Sequence, residues 1–364
     1  MGFLDSLLDR EKRIIRKAHK YMDKAEKYRN SGNIDKAKHQ SDKTWDYLQK
    51  KRDKIEEKTD HLSQAYDRLA WFYYHIGYDD QALRVEEEAL HSDPQNISAL
   101  NHKALILTDR DKNKEALNVI EDALEVNPNN KYTLTNKGDI LAEVDREDEA
   151  VRAYEKALEI DSSDISIYDK ILEINPRDEL VYKEKGKAHR ENSDYAAAVE
   201  SFNKALDINS RQEEVWLYKG LTLRDMGELN DAVVCFDNGI EVNPDNKELW
   251  AEKGITLHQL DRNNEALDAL NRALDIDRED KELWNRRGTI LYELERYQEA
   301  VRAFNHALDI DPDDVRILDN KKEALKPMGR YDELIRVADQ ILEKNPSDAS
   351  ALYDKGVAMQ KAGK

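Results

Sequence analysis

Nine histidines are scattered singly through the 364 residues, and no two sit at the helical spacing that would aim both at one metal ion. Cys235 is the only cysteine, so neither a disulfide nor a thiolate zinc site can form. The 77 Asp and Glu side chains are spread along the chain, and none falls in an apolar run that would raise its pKa for acid–base work. No glycine-rich phosphate loop is present. The expectation is therefore no catalytic residue, no metal, no cofactor and no enzyme activity. Two weaker signals concern surfaces. Met1-Gly2-Phe3-Leu4-Asp5-Ser6 matches the short pattern for N-terminal acylation. Phe3, Leu4, Leu7, Leu8 and Ile15, interleaved with Lys12, Arg13, Arg16 and Lys17, form a stripe that suits either a bilayer interface or the next helix of the fold; packing on the next helix is preferred. Lys50-Lys51-Arg52 could touch nucleic acid, but no aromatic platform accompanies it.

The elements that would position such groups are constrained by composition. Only 39% of residues are hydrophobic and 37% are charged, with a net charge of −19, which argues against one deep core. No apolar run approaches a membrane span and no secretory leader is apparent, so a reducing, cytoplasmic setting is expected. Residues 1–62 hold 17 Lys+Arg against 12 Asp+Glu, a net of +5, while the remainder carries −24. A basic head on an acidic body suggests a head that binds a surface or folds back on its own body.

Trp216, Trp250 and Trp284 recur every 34 residues, each four residues before a glycine. This register places units at 63, 97, 131, 179, 213, 247, 281, 315 and 349. Position 8 is small in nearly all (Ala70, Ala104, Gly138, Gly186, Gly220, Gly254, Gly288, Gly356), as are position 20 (Ala82 to Ala300) and position 27 (Ala89 to Ala307). Larger residues at 4, 11 and 24, such as Trp250, Leu257 and Leu270, would fill the seam between two antiparallel helices. Glycine at position 15 (Gly77, Gly227, Gly329, Gly363) would end the first helix, and proline near position 32 the second. The unit at 315–348 is degenerate, with Lys322 at position 8. Residues 151–164 align without gaps to 165–178, as if a second helix were repeated without its first-helix partner. An earlier unit starting at Ala18 fits less well, and its second helix should overrun through Lys50-Lys51-Arg52-Asp53-Lys54-Ile55.

This pattern resembles the tetratricopeptide repeat family over about residues 63–364, and more weakly from 18. One departure recurs: position 7, usually leucine in the family, is Lys103, Lys137, Lys185, Lys219, Lys253, Arg287, Lys321 and Lys355. A long basic stem can cover the apolar seam and keep its charge in water. The resemblance implies an all-α, right-handed superhelical solenoid of helix–turn–helix repeats preceded by a long-helix region. It also implies a concave groove lined by positions 2, 5, 9, 12 and 13 of the first helices. Those positions give an apolar floor of Leu217, Leu221, Ala251 and Ile255, flanked by Arg190, Arg224, His258 and Tyr292, with Trp71 and Tyr74 as an aromatic cluster near the start. The family's chaperone-tail carboxylate clamp is absent, since Lys183 and Lys187 are followed by Tyr218, Glu248 and Glu252. Its asparagine ladder at position 6 is kept only at Asn136 and Asn320.

The expected organisation is a basic helical region at 1–62, a first repeat segment at 63–164, an orphan helix or joint at 165–178 and a second segment at 179–364. The expected function is a non-catalytic scaffold holding a peptide or helix of a partner protein in the groove. The alternatives are an adaptor whose residues 1–62 contact a membrane or nucleic acid, and a self-covering or self-assembling array. The chain stops after a first helix, which would serve as a cap, an assembly face for a homo-oligomer, or a point from which the natural protein continues.

Overall fold

The computed structural model describes residues 2–52 and 60–363 and divides the chain into two compact units that meet between Pro176 and Arg177. The first holds α1 (Gly2–Asn30), α2 (Ile34–Lys51), α3 (Asp60–His75), α4 (Asp79–Ser92), α5 (Ile97–Thr108), α6 (Asn113–Val126), α7 (Lys131–Glu143), α8 (Glu147–Ile160) and α9 (Ile165–Ile174). The second holds α10 (Glu179–Glu191), α11 (Tyr195–Ile208), α12 (Glu213–Asp225), α13 (Leu229–Val242), α14 (Lys247–Gln259), α15 (Asn263–Ile276), α16 (Lys281–Glu293), α17 (Tyr297–Ile310), α18 (Val315–Leu325), α19 (Tyr331–Lys344) and α20 (Ala349–Lys361). No strand occurs among the described residues. The fold is an all-α repeat solenoid.

The two helices of each repeat start differently. First helices other than α12, which starts at Gln212 without a side-chain cap, are mostly capped by an Asn or Asp side chain at position 34 of the preceding unit, as Asn130 accepts from the Thr133 amide and Asp280 from Glu282 and Leu283. Four second helices begin at an arginine that reaches into the first turn, Arg146, Arg262, Arg296 and Arg330. Arg146–Glu149 and Arg296–Glu299 are forked pairs of this kind, and the glutamate faces the positive end of the helix dipole. Position 15 has positive φ whether or not glycine occupies it: Gly77 and Gly227 do so, but so do Asp111, Asp145, Ser193, Asp261 and Glu295.

Inside each repeat, position 8 faces position 24. A methyl group on Gly138 would stand 2.3 Å from the Tyr154 ring, and one on Gly288 would stand 2.5 Å from Phe304, so only glycine lets the aromatic lie flat on the opposing backbone. In three repeats a lysine at position 1 joins the repeat to the next. Lys131 bridges Asp161 and Asp164 at 2.7 and 2.9 Å, Lys247 bridges Asp277 and Asp280, and Lys281 bridges Asp311 and Asp314. In each case the second aspartate caps the following first helix. The Lys131 ammonium, followed by Ser163, holds the Asp161 carboxyl down at about 2. A depressed carboxyl stabilises the fold above its unfolded pKa, and that contribution fades as pH falls toward 2. Carboxyl NMR should therefore find Asp161 titrating near 2, and Lys131→Ala should return it toward the ordinary aspartate value of about 3.9.

Five of the basic residues at position 7 have identifiable contacts. Lys219, Lys253 and Arg287 lie over the Trp216, Trp250 and Trp284 rings at 5.1, 5.3 and 5.7 Å. Four of the heads at this position reach position 25 of the preceding repeat: Lys137 to Glu121, Lys253 to Asp237, Arg287 to Asn271 and Lys355 to Asp339.

At the start of the chain α1 is 29 residues long, and Ile14, Ile15, Ala18, Met22 and Ala25 bury against Leu62, Tyr66 and Leu69. The second helix of this region is described only to Arg52, so the expected overrun at 53–55 lies outside the described residues, as do the side chains of Phe3, Leu4, Leu7 and Leu8. The segment 165–178 forms α9, whose sequence matches a second helix. Yet it is entered like a first helix, with Asp164 as cap and Lys131 bridging to it.

Candidate functional site

On the first helices of the second unit, the expected floor splits in two. Leu217 and Ala251 are buried in the core, at 5% and 9% exposure, because the neighbouring first helices close over position 5. Leu221 and Ile255, one turn further on, stay half-open. Ile255 and His258 line a recess of about 220 Å³ together with Asn285, Arg286 and Thr289, and the Arg316–Glu282 ion pair closes one side. The cationic row is tied down along this face. Arg190 Nη2 donates to Asp225 at 2.7 Å, Arg224 pairs with Glu252, and His258 Nε2 lies 3.5 Å from Glu293. Arg286 is exposed and, among the described residues, makes no ion pair. Tyr292 meets Tyr297 edge-on at 5.6 Å, packed against the core rather than standing free. Asn285 accepts from Asn320 at 2.9 Å, which is how the position-6 asparagine is used here.

In the first unit Trp71 stacks on His102 at 4.1 Å and meets His75 edge-on at 4.3 Å. Tyr74 donates to Asp109, and burial together with that bond pushes its hydroxyl up to about 12. Although burial works against its charged form, the Asp67 and Glu86 carboxylates hold His102 up at about 9. The sequence reading found Trp71 and Tyr74 but not His102, nor Asn285, Arg286 and Arg316 in the second unit.

Models of the tetratricopeptide repeat match residues 97–130, 132–164 and 181–212, and a further one matches 217–281. The chain is a tetratricopeptide repeat protein. A model of the CABIN1 N-terminal domain also matches residues 251–362. Comparison with curated protein sequences gives no match. Among solved structures, a MamA protein is 23% identical over 47% of this chain and 94% of its own, with a TM-score of 0.44. YrrB, described as a tetratricopeptide repeat protein with an unusual peptide-binding site, is 23% identical over 56% of this chain and 97% of its own, with a TM-score of 0.37. A tetratricopeptide repeat protein from Parabacteroides merdae ATCC 43184 is 17% identical over 72% of this chain and 98% of its own, with a TM-score of 0.35.

Tetratricopeptide repeats are protein-interaction scaffolds and generally not catalysts, which points to a protein or peptide as the partner class. Among the described residues no helix is long and apolar enough to cross a membrane. The stripe considered for a bilayer interface is in part used internally, since Ile15 is 8% exposed and sits in the first unit's core.

Proposed function

We propose that this tetratricopeptide repeat protein is a non-catalytic, cytoplasmic scaffold that holds a peptide segment of another protein on the first-helix face of its second unit, centred on the recess between Ile255 and Arg286. The observation that carries the reading is the contrast between Arg286 and its neighbours. Arg190, Arg224 and Arg316 each have a carboxylate partner, whereas Arg286 is exposed without one beside a half-open isoleucine. A segment presenting an acidic side chain next to an apolar one would meet both needs, the apolar group leaving water and the acid pairing at the rim.

The test uses the full chain as bait. Ile255→Glu and Arg286→Glu should each weaken capture of the partner by roughly tenfold or more. Val234→Glu, on a second helix at 55% exposure, should leave it unchanged. Capture that survives both groove substitutions would overturn this placement.

A further inference from the structure

We propose that Asp67, Glu86 and His102 form a binding site for one divalent transition-metal cation of the zinc or manganese class. They come from three successive helices of the first unit, α3, α4 and α5. One ligand atom from each lies within 4.8 Å of the others. His102 Nδ1 is 2.6 Å from Asp67 Oδ1 and 3.6 Å from Glu86 Oε1.

Glu86 is the residue that needs explaining. It is fully buried, and neither of its oxygens has a hydrogen-bond partner. His102 Nδ1, 3.6 Å away and already bonded to Asp67, is its cationic neighbour, and burial pushes the Glu86 carboxyl well above the usual carboxylate range. It also stands where the array wants bulk, at position 24, which is Ile120, Tyr154, Phe202, Phe236, Leu270 and Phe304 in other repeats. Packing does not ask for an acid there.

A dication would satisfy the site. The ion would take the place of the proton that Asp67 and Glu86 hold on His102; two carboxylates and the then neutral imidazole carry −2, which it balances, and three protein ligands leave room for water to complete the shell. Two oxygens with one imidazole nitrogen suit zinc or manganese better than magnesium, which prefers oxygen and keeps its waters. The Trp71 ring stacked on His102 fixes the imidazole plane, and the 24% exposure of the His102 side chain gives the ion a way in.

The test is calorimetric titration of the metal-stripped full chain with zinc chloride and manganese chloride, with magnesium and calcium chlorides as comparison arms. One saturable site for zinc or manganese is expected, with a change in Trp71 fluorescence. Glu86→Gln and His102→Gln should each weaken it by roughly tenfold or more. Absence of a saturable site, wild-type affinity in both variants, or magnesium binding that matches zinc would overturn the proposal and leave the trio as an internal proton-sharing cluster. If Glu86→Gln fails to fold, cobalt titration of the wild-type chain decides. Ligand-field bands of nitrogen-bound cobalt at one equivalent support the site, and an unchanged aquo-cobalt spectrum overturns it.

Discussion

Replacing Phe304 by alanine should lower the unfolding free energy by about 3–5 kcal/mol, the range for removing a large buried side chain. The ring is 1% exposed and fills the space that Gly288 leaves by lacking a side chain. The reciprocal change also loses. Gly288→Ala gains about 1 kcal/mol of helix propensity but drives its methyl to 2.5 Å from Phe304, and such overpacking typically costs about 1–3 kcal/mol. Urea titration followed by Trp250 and Trp284 fluorescence reads both. An unmoved midpoint in Phe304→Ala would mean that positions 8 and 24 do not form the core of the repeat.

The second large effect lies in the repeat at 315–348, where the same two positions hold Lys322 and Ala338 instead of a small residue and a large one. Lys322 is fully buried, its ammonium reaching Asp319 at 2.7 Å, Ser350 at 2.9 Å and Asp354 at 3.0 Å. Lys322→Gly removes both the filler and a counter-charge of the 9%-exposed Asp354 side chain, at about 3 kcal/mol. Ala338→Phe alone should overpack against the lysine stem. Together they rebuild the arrangement of Gly288 and Phe304, so the double variant should be more stable than the sum of the singles by at least about 1 kcal/mol. Lys326, 2.8 Å from Asp354, keeps that acid paired in the double variant. Additive losses in the same urea assay would show that the two positions do not share a volume.

What could be read from sequence and what could not divide along physical lines. The 34-residue spacing of Trp216, Trp250 and Trp284 is dictated by helix length and turn geometry, so it survives in the residues themselves and yields the repeat. The basic residues at position 7 could be read as covering groups, but the identity of position 25 in the preceding repeat does not decide where their heads go: Glu121, Asp237 and Asn271 are reached, while among the described residues no pair joins Lys103 to Glu87. The groove was harder. Whether Leu217 or Leu221 stays open depends on how near the next first helix comes. The partners of Arg190, Arg224 and His258 sit at positions 13, 6 and 13 of the following repeat, with no fixed rule to follow. Asp67, Glu86 and His102 lie 19 and 16 residues apart on three helices, outside any metal-ligand spacing. The available signal was a glutamate at position 24, visible only once the register had been aligned.

The turn between the two helices of each repeat has a bearing on how such a chain can change. Asp111, Asp145, Ser193, Asp261 and Glu295 hold a left-handed conformation that glycine would adopt freely. Departing from the right-handed region costs a residue with a side chain about 1–2 kcal/mol, less for aspartate, whose short side chain can bond locally. These five turns therefore amount to slack in the design, greatest at Glu295. A single exchange there for glycine could compensate a harmful change elsewhere, in the groove or at a helix seam, without disturbing either. The interaction face of the protein is in this sense freer to drift than its tightly fitted interior suggests.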